Sequence, residues 1–338
     1  MKNKNAEFQN LYFGLKICEV YLCTMKSLKV VFFGTPEFAK NSLEAIHHSN
    51  HEVVGVVTVA DKASGRGQKI NQSPVKIFAV QSNLPVFQPE KLRNPEFLAQ
   101  IKELDADVFV VVAFRMMPKM LFEMPKLGTF NLHASLLPDY RGAAPINYAI
   151  INGEQKTGAT TFFINEKIDE GNILLQEEIE VLNNDNAGSL HDRLMEMGAK
   201  LVVKTLDGLA ENSIQEKPQP NVEHPKNAFK IFKEDTRINW EMNSENVHNF
   251  IRGMSPYPCA FTTIKIGEDE KSLKIYEGKF EISAHEKTPG SLEIDKNQFK
   301  IYTKDGIYFP EELQLEGKKR MNVKAFLNGF QHFDSISR

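Results

Sequence analysis

An asparagine and a histidine that lie two residues apart, Asn131 and His133, have side chains suited to chemistry at one site. They fall where a strand predicted over 128–132 gives way to a loop, because Pro138 and Pro145 prevent a regular element from continuing. Side chains two apart on a strand project from the same face. The carboxamide donates hydrogen bonds, and the imidazole exchanges a proton near neutral pH. The pair therefore predicts a site at the carboxyl end of a strand, where α/β sheets bind ligands.

The elements that must position this pair alternate between strand and helix. A strand over 28–33, a helix to about His48 and a strand over 52–59 have the spacing of a right-handed parallel crossover. The strand over 107–113 is apolar throughout, which is typical of the centre of a parallel sheet. The predicted fold class is therefore α/β, with a Rossmann-like, mostly parallel sheet. The first turn carries one glycine instead of the three of a dinucleotide fingerprint, so no NAD site is expected.

The pattern changes in the second half of the chain. Residues 211–228 contain three prolines and almost no apolar side chains, which predicts a linker. Short strands at close spacing follow and predict a small β-barrel of the oligonucleotide-binding type. The predicted organisation is a first domain over 25–210, the linker over 211–228 and the barrel over 229–338. Residues 1–24 are expected to be a disordered upstream extension or cloning remnant that activity does not require.

Composition and charge limit the function classes. A chain of 338 residues with 41% hydrophobic and 25% charged residues is an ordinary soluble protein. The net charge of −3 excludes a global electrostatic field that attracts nucleic acid or anionic membranes, but it does not exclude a local basic surface. Three cysteines, Cys18, Cys23 and Cys259, form no disulfide framework, which fits a reducing cytoplasm. No run of 18 apolar residues exists, so no membrane contact is expected.

Two basic segments are candidate contacts for a phosphate backbone. A polar loop over 60–73 carries Lys62, Arg66 and Lys69 beside glycines, and a cluster near the end of the chain carries Lys318, Lys319 and Arg320. Most loops like the first are solvated surface, but its length and lack of apolar anchors favour function or disorder over packing. The second cluster is equally compatible with a solvated turn. Two histidines four residues apart, His47 and His51, have a spacing compatible with a metal site, but Ser49-Asn50 is expected to end the helix between them, so no metal site is predicted.

Seven short motifs, which are spread over nearly the whole chain from Met25 onward, resemble one known family. They are Phe33-Gly-Thr-Pro-Glu-Phe38, Gly65-Arg-Gly-Gln-Lys69, Ser73-Pro-Val-Lys76, Asn131-Leu-His-Ala-Ser-Leu-Leu-Pro138, Arg141-Gly-Ala-Ala-Pro-Ile146, Asn152-Gly-Glu154 and Gly317-Lys-Lys-Arg-Met321. On these motifs the chain resembles the methionyl-tRNA formyltransferase family of folate-dependent formyltransferases. The resemblance implies transfer of a formyl group from 10-formyltetrahydrofolate, as co-substrate, to the α-amine of initiator methionyl-tRNA. It implies a cytoplasmic monomer that uses no metal.

The resemblance also assigns residues to roles. It implies a catalytic trio of Asn131, His133 and Asp169, the last within Ile168-Asp-Glu-Gly171, where relatives often have threonine in place of Glu170. The residues that it implies for folate binding are Ala113, Phe114, Arg115, Ser135, Leu136, Leu137 and Pro138. Many relatives have Ala-Tyr-Gly where this chain has Ala113-Phe-Arg115. The residues that it implies for tRNA binding are Lys62, Arg66, Lys69, Lys318, Lys319 and Arg320.

Two other functions fit part of the sequence. A sugar-nucleotide N-formyltransferase shares the catalytic trio, but the Gly-Arg-Gly loop, the Arg141-Gly-Ala-Ala-Pro motif and the barrel weaken this interpretation. A non-catalytic RNA-binding protein on an inherited scaffold would have no need of an intact Asn131, His133 and Asp169. Formylation assays with a charged tRNA and with a nucleotide amino sugar separate these possibilities.

Overall fold

The computed structural model describes residues 26–64, 69–329 and 336–337. The predicted extension over 1–24 and the candidate contact Arg66 lie outside the described residues, as do Cys18 and Cys23. Within the described ranges, no helix combines the length and the apolar character that crossing a membrane requires.

Strands and helices alternate along the first half of the chain, as the hydrophobic pattern predicts. The elements up to Ala210 are β1 (Lys29–Gly34), α1 (Glu37–His47), β2 (Glu52–Val57), β3 (Lys62–Ser64), β4 (Lys69–Asn71), α2 (Pro74–Gln81), β5 (Val86–Phe87), α3 (Pro95–Glu103), β6 (Val108–Val112), α4 (Lys119–Phe122), β7 (Thr129–His133), β8 (Arg141–Gly142), α5 (Pro145–Ile151), β9 (Lys156–Phe163), β10 (Ile173–Glu180) and α6 (Ala187–Ala210).

Short strands dominate the second half. The elements are β11 (Asn227–Ala228), a 3₁₀ turn (Glu234–Thr236), α7 (Ser244–Met254), β12 (Ala260–Ile266), β13 (Asp269–Ile282), β14 (Leu292–Ile294), β15 (Phe299–Tyr302), β16 (Gly306–Leu315), β17 (Met321–Asn322), α8 (Val323–Asn328) and β18 (Ile336–Ser337).

The first large sheet has the order β10-β9-β7-β6-β1-β2-β5. Pairing is parallel from β5 through β7, whereas β9 runs antiparallel to β7. Five of the six residues of β1 and all five of β6 are buried, because helices cover both faces of a parallel sheet. The predicted α/β class with a mostly parallel sheet is confirmed.

The second large sheet is antiparallel, with the order β14-β15-β16-β13-β12-β18 and with β17 paired to β16. Its edge strands, β14 and β18, also contact each other, so the sheet curls toward closure. Trp240 and Tyr308 are buried in its core, where the indole Nε1 donates to Thr262 Oγ1 at 3.2 Å. This curled sheet is the small barrel that the close spacing of the strands predicts.

The described chain forms two compact units. The first unit comprises the described residues up to His133 together with Thr160–Gln176 and Met195–Gln219. The second unit comprises Ala134–Ala159, Glu177–Leu194 and the described residues from Pro220 onward. The domain boundaries predicted from composition, at 210 and 228, stay a prediction.

Two segments without a periodic pattern form strands. Within the predicted polar loop over 60–73, β3 and β4 pair antiparallel, with Ala63 opposite Ile70. At the end of the predicted linker, β11 pairs in parallel with β8. The predictions of irregular structure at these residues were wrong, because strands of two or three residues are too short to show an alternating pattern.

A close contact between helix and sheet supports β7 from one side. A Cβ atom added at Gly198 of α6 would lie 2.9 Å from Cδ2 of Leu132, so the helix backbone packs directly on the end of this side chain. Leu132 is buried and occupies the strand position between Asn131 and His133. Because successive side chains of a strand alternate, Asn131 and His133 project from the face opposite this contact.

Candidate active site

Strand β7 places two of the candidate catalytic side chains on one face of the sheet. Asn131 lies opposite Val111 of the parallel neighbour β6, so the two side chains share a face with the core cluster that contains Val111, Phe109 and Leu121. Asn131 is half-buried, and His133 is 7% exposed. In the part of the chain that the structure describes, no group accepts a hydrogen bond from the Asn131 carboxamide. A hydrogen-bond donor at a strand end is thus available to a ligand.

The third candidate side chain comes from a distant part of the sequence. Asp169 Oδ2 lies 3.9 Å from Nδ1 of His133, and the side chain of Asp169 is 15% exposed. A carboxylate at this distance can orient an imidazole ring or exchange a proton with it through one water molecule. The structure thus brings Asp169 and His133 together within the first unit.

The loop that carries Asp169 is held by its backbone. Asp169 has a φ of 54°, in the left-handed region that aspartate tolerates better than most residues. The side-chain amide of Gln219 donates to the carbonyl oxygens of Asp169, at 2.8 Å, and Gly171, at 2.9 Å. A Cβ at Gly171 would fall 1.5 Å from the carbonyl oxygen of Phe163, so this position requires glycine. Sequence analysis missed Gln219 because it lies in a segment without periodicity.

The segment after β6 forms an aromatic and cationic wall. The ring of Phe114 lies 5.8 Å from that of Phe33, and the Arg115 guanidinium lies 5.7 Å from the Phe114 ring. Arg115 donates from Nη1 to the carbonyl oxygen of Glu90 at 2.8 Å and from Nη2 to that of Pro89 at 2.5 Å. Ala113 precedes this wall with a φ of 45°.

A cavity of about 340 Å³ lies beside the wall. Its lining combines apolar side chains with three cationic residues; the residues are Lys91, Leu92, Arg93, Arg115, Met116, Met117 and Pro118. Leu92 and Met117 belong to the same core cluster as Val111, which places the cavity on the sheet face that bears Asn131. An aromatic or pterin-like ring with an anionic extension suits such a lining.

The loop predicted to hold folate is internally bonded in the second unit. Ser135 is fully buried, and its hydroxyl donates to the carbonyl oxygen of Asp139 at 2.7 Å. Leu137 is also buried, and the Leu137–Pro138 peptide bond is cis. Leu136 packs against the backbone of Gly158, where a Cβ would lie 2.5 Å from Cδ2 of the leucine. The loop thus has a defined shape, and the contact of its residues with folate stays a prediction.

A buried tyrosine follows this loop. The Tyr140 hydroxyl donates to the Glu154 carboxylate and accepts from Asn152 Nδ2 at 3.1 Å. Lys226 Nζ lies 2.5 Å from the same Glu154 carboxylate. Burial, together with the hydrogen bond to Glu154, raises the pKa of Tyr140. The sequence signal for this cluster was the Asn152-Gly-Glu154 motif, but the lysine partner lay in the predicted linker.

The predicted tRNA contacts have different environments. Lys318 and Lys319 are exposed, whereas Arg320 pairs with Glu312 and with Glu277, at 3.7 Å from the latter. The backbones of Lys62 and Lys69 lie on β3 and β4. Arg66 lies outside the described residues.

No metal centre is formed by the described residues, because no three His, Cys, Asp or Glu side chains there converge. His51 is buried after the end of α1 and binds two neighbours. Leu28 N donates to His51 Nδ1 at 3.3 Å, and Nε2 lies 3.2 Å from Asp207 Oδ1.

Comparisons with known proteins identify the family. Residues 28–206 match the family described as formyl transferase, and residues 230–331 match the formyl transferase C-terminal domain. A methionyl-tRNA formyltransferase of Flavobacterium johnsoniae is 49% identical over 310 residues, which cover 92% of this chain and 98% of that protein. A methionyl-tRNA formyltransferase of Flavobacterium psychrophilum is 48% identical over 306 residues, covering 90% and 97%.

A solved structure supports the fold. An N-formyltransferase from Helicobacter canadensis, in complex with folinic acid and dTDP-3-aminofucose, superimposes with a TM-score of 0.61 at 23% identity. The alignment covers 84% of this chain and 99% of that one, and at this identity it shows the fold alone. The family matches and the two Flavobacterium relatives lead to one conclusion: this chain belongs to the formyl transferase family.

Proposed function

We propose that this protein transfers the formyl group of 10-formyltetrahydrofolate to the α-amine of the methionine carried by initiator tRNA. The observation that carries this function is the identity of 49% to a methionyl-tRNA formyltransferase along 98% of its length. The candidate trio of Asn131, His133 and Asp169 lies within one compact unit of the fold, as an acyl-transfer site requires. The function is enzymatic and belongs to the start of protein synthesis.

The reaction has three events that the protein must support. The amine nitrogen attacks the formyl carbon, negative charge develops on the formyl oxygen, and the bond to N10 of the folate breaks as N10 gains a proton. We assign the Asn131 carboxamide to the developing oxyanion, because it is a donor at the end of β7 whose hydrogen bonds are not taken up by the described residues. A single oxyanion donor of this kind is worth about 10²–10³ in rate.

The remaining proton movements fall to His133 and Asp169. Asp169 accepts the proton that leaves the attacking amine, directly or through water, and it orients His133 from 3.9 Å. His133 stabilises the developing oxyanion. The single proton that the amine gives to Asp169 passes on, through His133 or through water, to N10 as the bond between N10 and the formyl carbon breaks, so both side chains return to their starting states after one turnover.

The folate is assigned to the segment Ala113–Arg115 and to the loop 135–138. The Phe114 ring and the apolar side chains of the neighbouring cavity fit a pterin or benzoyl ring, and the cationic residues of the cavity, Lys91, Arg93 and Arg115, fit a carboxylate. The Ser135 hydroxyl is bonded to Asp139, so we assign its loop to backbone and leucine contacts with the folate. No metal takes part in these steps.

The tRNA is assigned to Lys62, Arg66 and Lys69 and to the cluster Lys318–Arg320. Lys318 and Lys319 have exposed ammonium groups that suit phosphate contacts, whereas Arg320 is engaged by carboxylates and contributes less. We place the enzyme in the cytoplasm, where charged initiator tRNA is made, and we expect it to act as a monomer.

An assay with two acceptors tests the function. The protein is incubated with 10-formyltetrahydrofolate and either methionyl initiator tRNA or a dTDP-amino sugar, and the formylated product is measured. We expect formylation of the tRNA and none of the sugar. Formylation of the sugar alone would replace the proposed function with sugar-nucleotide N-formylation.

A further inference from the structure

Two phenylalanines three residues apart present their rings to solvent in the second unit. The segment Lys226-Asn-Ala-Phe-Lys-Ile-Phe-Lys233 places Phe229 at 66% and Phe232 at 56% exposure. A single exposed apolar side chain needs no explanation. A repeated pattern of exposed aromatic and lysine side chains within eight residues is different, because it combines stacking surfaces with cations.

The backbone around these rings is fixed on both sides. Before them, β11 pairs with β8, and the Ala228 carbonyl accepts from Ala143 N at 2.7 Å. Between them, Ile231 packs against the core of the barrel. After them, Phe232 N donates to Asp235 Oδ2 at 2.8 Å. The exposure of the rings therefore belongs to an ordered surface, and a ligand would meet a largely preformed site.

The charges of the segment select the ligand. It contains three lysines and no acidic residue, although Lys226 already pairs with Glu154 and two acidic residues, Glu234 and Asp235, follow directly. Lys230 Nζ lies 5.1 Å from the Phe232 ring centroid. An apolar protein partner would bury Lys230 and Lys233 without supplying a counter-charge, which is costly. Unpaired RNA suits both the rings and the cations, since its bases stack on aromatic side chains and its phosphates bind lysines.

We propose that Phe229 and Phe232 form a stacking platform for unpaired nucleotides at the 3′ end of the tRNA, with Lys230 and Lys233 at its phosphates. The proposal rests on the proposed function, in which tRNA is the acceptor. Base stacking on an aromatic side chain tolerates any base, so the platform contributes affinity for the unpaired end instead of sequence selection.

Binding without the formyl donor tests the platform. Full-length initiator tRNA and the same tRNA lacking its unpaired 3′ nucleotides are titrated against Phe229→Leu and Phe232→Leu. Leucine keeps the apolar bulk but removes the stacking face. We expect each variant to lose about tenfold in affinity for full-length tRNA. We expect no change in affinity for the truncated tRNA.

A rescue variant and a matched control make the result specific. Phe232→Trp should keep the affinity for tRNA. RNA that stacks on the introduced indole should quench its fluorescence, and this change can be assigned to residue 232 because the one native tryptophan, Trp240, is buried. Tyr257 is 82% exposed in the same unit, and Tyr257→Leu should leave tRNA binding unchanged. Unchanged binding by both Phe→Leu variants, equal losses for the two tRNAs, or failure of the tryptophan rescue would each overturn the platform. Wild-type formylation of methionyl-tRNA, measured in parallel, shows separately whether the proposed function holds.

Discussion

The carboxylate of Asp169 and the imidazole of His133 lie 3.9 Å apart, although one belongs to a loop and the other ends a strand. The loop reaches this position because Gln219 and the close approach of Gly171 to Phe163 fix its backbone. The pair therefore depends on residues whose own side chains take no part in proton transfer.

Removal of the carboxylate charge should slow the reaction without unfolding the protein. For Asp169→Asn we expect kcat to fall by about 10²–10⁴, because the amide cannot accept a proton. A surface pair provides the matched control, since Asp192 Oδ1 lies 3.0 Å from His191 Nδ1 and the Asp192 side chain is 72% exposed. Asp192→Asn should keep wild-type kcat. Steady-state formylation and thermal melting check both variants, and a full-rate Asp169→Asn enzyme contradicts the assigned proton acceptor.

The carboxamide of Asn131 should matter as a donor and not for its shape. Asn131→Asp keeps the size of the side chain but places an acceptor at the developing oxyanion, so kcat should fall at least as far as in Asn131→Ala, by about 10²–10³ or more. Folate binding, measured by equilibrium titration, should change much less than kcat. A variant whose KM alone rises would assign Asn131 to ground-state binding instead.

Gln219 should act on activity through the position of the Asp169 loop. Gln219→Glu cannot donate to the carbonyl oxygens of Asp169 and Gly171, and we expect it to lower kcat about tenfold or more while KM for tRNA stays near wild type. The control is Gln155→Glu, because Gln155 Nε2 donates to the Gly153 carbonyl at 3.3 Å in an exposed turn. A lower melting temperature of Gln219→Glu with an unchanged kcat would show that Gln219 has a structural role only.

His51 should make stability depend on pH. Burial lowers the pKa of His51, against the opposing effect of Asp207, so the unfolded chain binds this proton more readily than the folded one. The stabilisation is therefore present above a pH of about 6.5 and is lost as pH falls through the lower folded-state pKa, with a slope of up to about 1.4 kcal/mol per pH unit. We expect the free energy of unfolding of His51→Gln to vary less between pH 7 and 5 than that of the wild type. His191→Gln serves as the control at an exposed histidine, and identical pH profiles of His51→Gln and wild type would refute the expectation.

The parts of the site that one strand determines were predictable from sequence. The two-residue spacing of Asn131 and His133 fixes a common face, and the strand end fixes the edge of the sheet. The apolar run of β6 likewise predicts a central strand, and the structure confirms it. In each case a local pattern carries the information, so no knowledge of the rest of the chain is required.

The contacts that join distant segments were not predictable from local patterns. The approach of Asp169 to His133 was inferred only from a family resemblance, and nothing in the sequence around Gln219 indicates its two hydrogen bonds to the loop. Likewise, a two-residue strand such as β11 has no periodicity, so its pairing with β8 could not be anticipated. Such contacts arise from the tertiary fold, which single-segment propensities do not contain.

Gly198 has no side chain, and this lets α6 pack against the face of the sheet opposite the candidate catalytic residues. The packing of this helix can therefore affect the reaction. A methyl group there would force the tip of the Leu132 side chain to move, and Leu132 lies on the strand between the positions that bear the amide and imidazole groups. Such a displacement needs no change in any group that touches a substrate. Substitutions in the packing between α6 and the sheet can therefore change the reaction rate during evolution. A comparison limited to the residues of the substrate pocket would miss them.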